Sequence, residues 1–199
     1  MKKSKKVTII TIIIIGIIAG LLQSYHYCLN LSVDLPEEVD QAVTECIETM
    51  AEPDEPIAYL YKDVDFVFSA SAYHAFGYTE DDTYIKVYGV FELRRFDSDD
   101  IKTYRDENLS IGDSYPCRYM AGRIFLAYLK TDEDGKIIPE KIWIPSVDDS
   151  NIDILRKMPI RTWLYIYLND PKGYGEKLSI ECQKKLDKYV KDQDISNDN

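Results

Sequence analysis

Residues 7–22 contain no charged side chain, and the six residues before them are Met1-Lys-Lys-Ser-Lys-Lys6. Sixteen uncharged residues span about 24 Å as a helix at about 1.5 Å per residue. A bilayer core of about 30 Å takes nearer to about 20 residues. That length is reached by continuing through Gln23, Ser24, Tyr25, His26 and Tyr27, and the two tyrosines fall where an aromatic belt sits. Lysines ahead of the run and none close behind it place the head in the cytoplasm and the rest outside. The expectation is a single-pass signal anchor that meets the membrane through residues 7–27, with residues 1–28 as basic head plus anchor. The alternative is secretion after signal cleavage, for which Leu22-Gln23-Ser24 is the nearest approach to a small-residue cleavage site. Cys28 as a lipid-modified cysteine is disfavoured, because Tyr25-His26-Tyr27 before it lacks small residues.

Charge then constrains the partners. The whole chain carries −11, and since residues 1–28 hold four lysines and no acid, the remainder carries −15. Such a body is repelled by nucleic-acid phosphates and by anionic lipid, so no nucleic-acid partner is expected. A hydrophobic content of 45% with 30% charged residues fits a packed domain and excludes a disordered chain.

Residues 29–33 read as a linker and residues 34–193 as one extracytoplasmic α+β domain, with residues 194–199 as a disordered tail. Asp34-Leu-Pro-Glu-Glu opens a helix with a capping acid, proline in the first turn and acids at the positive end of the dipole. Val39, Ala42, Val43, Cys46, Ile47 and Met50 follow at helical spacing. Extended segments are predicted at 58–61, 64–73, 84–96, 118–130, 136–144 and 161–168, from β-branched and aromatic runs. Asp134-Gly135 marks a tight hairpin turn between two of them. In the segment 84–96 Ile85, Val87, Gly89, Phe91 and Leu93 alternate with Tyr84, Lys86, Tyr88, Glu92 and Arg94. That alternation predicts one buried and one wet face. Residues 97–114 read as a long loop with a helical turn, 153–157 as another turn. Leu178, Cys182, Leu186, Tyr189 and Val190 form the stripe of a closing helix over 175–192. The fold class expected is therefore a mainly antiparallel sheet of five to six strands, flanked by an N-terminal and a C-terminal helix, behind one membrane-spanning helix.

Catalytic motifs are sparse. Two histidines, His26 and His74, and no Cys-x-x-Cys or His-x-x-x-His pair give zinc no support, and no cofactor is expected. Asp132-x-Asp134-Gly135 shares part of an EF-hand pattern, but Trp143 stands where the bidentate Glu belongs. It reads as a solvated turn, as do Glu80–Asp82, Asp97/Asp99/Asp100 and Asp148-Asp149. There is no Gly-x-Ser-x-Gly elbow and no glycine-rich phosphate loop. A Cys117–His74 couple is conceivable, with nothing in the sequence to bring the two together. In an oxidising compartment Cys46 and Cys182, on the two helical stripes, form a candidate disulfide, the alternative being free buried thiols.

Sixteen tyrosines are the compositional outlier. Trp163, Tyr165 and Tyr167 alternate along one segment, and Tyr84 and Tyr88 along another. Rings with a polar tip suit peptide, protein or carbohydrate contacts, so these five are the candidate ligand-binding residues, set against a face covered by a helix. The functional expectation is a membrane-anchored non-catalytic domain for binding, sensing or assembly at the cell surface, with a protein or peptide partner. Two alternatives stand beside it: an acidic protective factor that captures cationic peptides or toxins, and a wall-polymer hydrolase using paired carboxylates.

Overall fold

The computed structural model describes residues 14–20, 32–51, 63–107, 109, 119–146, 149–159, 162 and 173–197, with backbone alone at 119–123, 151, 155 and 194–197. Four strands follow one another in an antiparallel meander: β1 (Phe68–Glu80), β2 (Ile85–Phe96), β3 (Tyr119–Thr131) and β4 (Ile137–Trp143). Helix α1 (Glu37–Met50) precedes them, α2 (Ser98–Asp106) follows β2, and α3 (Asn151–Lys157) and α4 (Tyr174–Asn197) close the order.

Each element has a local cause. The Pro36 carbonyl accepts from the Asp40 N–H at 2.9 Å and starts α1, so proline takes the cap position expected of Asp34. Glu37, Glu38 and Asp40 in the first turn complement the dipole. At the other end Arg95 Nη2 donates to the carbonyls of Glu48 and Ala51 at 3.0 and 3.2 Å, satisfying acceptors that the helix leaves open. The β3–β4 turn is closed by Gly135 at φ 83°, with the Asp132 carboxylate accepting from the N–H groups of Asp134 and Lys136. In β1 the register slips between Ala75 and Gly77, so Phe76 is an unpaired bulge residue that turns into the core. Opposite the bulge the strands come close. A Cβ on Gly89 would stand 2.1 Å from the His74 carbonyl oxygen, and only glycine fits.

The sheet is the middle of three layers. Val87, Phe91 and Leu93 of β2, with Phe125, Ala127 and Leu129 of β3, pack against Val39, Ala42, Val43, Cys46 and Ile47 of α1. On the opposite face Ala70, Ala72, Phe76, Tyr88, Val90 and Leu126 pack against Leu178, Cys182, Leu186 and Val190 of α4. The stripes of both helices thus sit where their spacing predicts, but each covers its own face. The face of β2 expected to be wet is buried along most of its length. Glu92 and Arg94 are paired beneath α4: Arg94 Nε donates to Glu92 Oε1 at 2.6 Å and Arg94 Nη2 to Ser179 Oγ at 2.6 Å. The polar alternation that reads as solvent exposure here records a buried ion pair, stable because each charge is partnered. The outer edge of β1 is occupied as well, the Ser71 carbonyl by the Lys185 ammonium and the Ala75 carbonyl by the Val33 N–H.

Four expectations are corrected. The expected fold class had five to six strands behind a membrane-spanning helix, and the described residues form four strands. The expected strand at 64–73 begins later and runs to Glu80. At the start of the expected strand 161–168, the Thr162 N–H donates to the Pro159 carbonyl at 2.9 Å in a helical turn, and residues 163–168 lie outside the described residues. Most consequentially, no helix among the described residues is long and apolar enough to cross a membrane. Residues 14–20 are helical, with Ile14, Ile15, Ile17 and Ile18 between 50% and 59% exposed. The rest of 7–27 lies outside the described residues. The single-pass anchor, membrane attachment through residues 7–27, and the cell-membrane location built on them are therefore not supported.

The two candidate disulfide cysteines lie in different layers. Cys46 is buried under α1 and Cys182 under α4, both as free thiols with the sheet between them, whereas a bridge needs Cα atoms within about 7 Å. The Cys182 thiol instead donates to the carbonyls of Ala70 and Glu92.

Candidate functional site

Helix α4 lies along β1 and β2. Beyond its first turn, the same sheet face continues over β3 and β4, and there the side chains change character. Register aligns Lys86 of β2, Tyr128 of β3 and Lys141 of β4 in one row across three strands. Tyr84, from the turn leading into β2, meets the Tyr128 ring edge-on at 5.6 Å between centroids. Over this pair stands Lys141, its Nζ 4.5 Å from the Tyr128 centroid and 5.4 Å from that of Tyr84. Two residues along β4, Trp143 packs against the core under α3, and Lys157 Nζ lies 4.2 Å over its ring. Ile154 and Met158 hold α3 in that place by burying into the same cluster, and a Ser150–Asp153 capping box starts it.

Two further lysines flank the rings, each tied to a carboxylate. Lys86 pairs with Asp81 and Lys130 with Glu140. Asp81 is held down at about 2, first by the Lys86 ammonium and then by the N–H groups of Thr83 and Tyr84. Lys86 and Lys130 are shifted up by those same carboxylates. Lys141 and Lys157 differ: both are exposed and neither has a carboxylate ion pair among the described residues. The patch thus carries four ammonium groups against two carboxylates in a chain of net charge −11. Its chemistry is to offer cations, pre-positioned over rings by contacts of about 0.5–1 kcal/mol each, to a carboxylate-bearing partner.

Of the residues singled out from the sequence, Tyr84 belongs to this patch, half-buried. Tyr88 does not: it is 4% exposed and its hydroxyl fills the space over Gly77, where a Cβ would lie 2.4 Å from it. Trp163, Tyr165 and Tyr167 lie outside the described residues. His74 is half-buried, its ring stacked on Tyr174 at 4.1 Å, and Cys117 lies outside the described residues. Among the described residues no group of three or more His, Cys, Asp or Glu is placed to hold a metal. The acidic clusters have local partners instead: Asp97 and Asp100 form the capping box of α2, Asp81 and Asp132 close turns, and the Asp149 carboxylate accepts from the Ser146 N–H.

Tyr128, Lys141 and Lys157 were not among the candidates the sequence offered, and Trp143 entered only as the residue that breaks an EF-hand pattern. Lys141 and Trp143 share a parity on β4, which was a usable signal. Their convergence with Tyr84 and Lys157 depends on register and on where α3 returns, which no single segment encodes. Comparison with protein-family models, curated proteins and solved structures finds no match.

Proposed function

We propose that this protein is a non-catalytic binding module that docks a carboxylate-bearing protein surface on the lysine–aromatic patch of β2, β3, β4 and α3. The observation that carries this reading is the pair Lys141 and Lys157, two exposed cations poised over aromatic rings without a carboxylate ion pair among the described residues, on a sheet otherwise covered on both faces. Tyr and Trp bodies supply contact area at low entropic cost, and ammonium groups supply complementarity to acids. A wall-polymer hydrolase fits less well. A general acid needs a raised carboxyl, whereas Asp81 and Asp153 are both shifted down, by Lys86 and Ser150 respectively.

The probe is fluorescently labelled poly-L-glutamate. Wild-type protein is expected to bind it saturably, and Lys141→Ala and Lys157→Ala each to weaken binding several-fold while folding stability falls by no more than about 1–2 kcal/mol, the worth of the ring contacts removed. Equal binding by all three, or none by the wild type, overturns the reading. A second reading, capture of a cationic peptide, draws on α1, which carries five acids and no base. Poly-L-lysine bound more tightly than poly-L-glutamate would favour it.

A further inference from the structure

We infer that the partner seated on the lysine–aromatic patch is the outer face of α1 from a second copy of the chain. This rests on the reading of the patch as a docking surface and goes further by naming what docks. Helix α1 carries Glu37, Glu38, Asp40, Glu45 and Glu48 and no lysine or arginine. Three of these acids have hydrogen-bond partners: Asp40 accepts from the Tyr73 hydroxyl, Glu48 from Ser71 Oγ, and Glu37 from Gln41. Glu38 and Glu45 are exposed and have no ion pair or side-chain hydrogen bond among the described residues.

The two acids match the two cations in number and are opposite in sign. Seven residues put Glu38 and Glu45 on one side of the helix, about 10 Å apart. Lys141 lies on β4, and Lys157 stands over the ring of Trp143, two residues further along that strand at about 7 Å. The Tyr84, Tyr128 and Trp143 rings beneath the two cations give an apolar floor for the helix. One molecule cannot make this contact with itself, because α1 packs on the sheet face opposite to the patch. The contact is therefore heterologous, head to tail, and it propagates from copy to copy or closes into a ring.

Sedimentation velocity of the full chain over a concentration series at physiological ionic strength tests this. Wild type is expected to show a mass that rises with concentration. Lys141→Ala/Lys157→Ala and Glu38→Gln/Glu45→Gln are each expected to raise the dissociation constant about tenfold, from two exposed ion pairs lost. An equimolar mixture of the two variants retains one intact pairing and is expected to give a one-to-one dimer and nothing larger. A wild type that stays monomeric, or variants that associate as it does, overturns the inference. A monomer that still binds poly-L-glutamate through Lys141 removes the second copy as partner while leaving the docking surface in place.

Discussion

At the scale of single residues, several aspartates close the local backbone. Asp97 is the clearest case: its carboxylate accepts from the Asp100 N–H at 2.8 Å, while Asp100 reaches back to the Asp97 N–H at 3.2 Å. Replacing Asp97 by Ala is expected to cost about 1 kcal/mol, read as a fall in the urea midpoint, whereas Ala at the exposed turn residue Glu133 should stay within about 0.5 kcal/mol. The buried thiols make a second prediction. Cys46 and Cys182 are each pushed up from 9.0 to about 12, chiefly by burial, with Glu45 and Glu92 adding to it. The folded state therefore holds those protons more tightly than the unfolded chain. Stability from this source is complete below pH 9 and falls as pH rises from 9 towards 12. Both thiols should resist iodoacetamide in the native protein at pH 8 and react promptly in denaturant, measured by mass. Prompt native labelling at either would contradict the burial assigned to it.

At the scale of elements, the two long helices and the β3–β4 turn were legible in the sequence because each is written locally. A stripe such as Val39, Val43, Cys46 and Ile47 has one physical meaning, and Asp134-Gly135 has one favoured turn. Layering was not legible. Glu92 and Arg94 look solvent-facing in β2 because each alone would be costly to bury; only the structure shows them meeting beneath α4. The same limit hid the patch, whose members lie on β2, β3, β4, α3 and the turn before β2 and, beyond the shared parity of Lys141 and Trp143, have no common local pattern. The close approach of β1 and β2 opposite the bulge gives a sharp test. Gly89→Ala is expected to destabilise by about 3 kcal/mol, the upper range for overpacking against backbone. Leu186→Ala, fully buried under α4, is expected to cost about 2–5 kcal/mol. Thermal unfolding by circular dichroism reads both, and a neutral Gly89→Ala would mean that the strands are further apart than described.

At the scale of the molecule, the three layers divide the surface by charge. Helix α1 carries five acids and no base, and the far side of the sheet carries lysines set over rings. A chain with net charge −11 that sets Lys141 and Lys157 over rings, neither in an ion pair among the described residues, has placed complementary charge on one side, which is the asymmetry a docking surface requires. The amide spectrum of the isotope-labelled Glu38→Gln/Glu45→Gln variant, whose own α1 no longer competes for the patch, titrated with poly-L-glutamate, tests this most directly. The expected outcome is saturable shifts confined to Tyr84, Lys86, Tyr128, Lys141, Lys157 and the Trp143 indole. Shifts centred on α1, scattered over the surface, or absent at saturating polymer would contradict it.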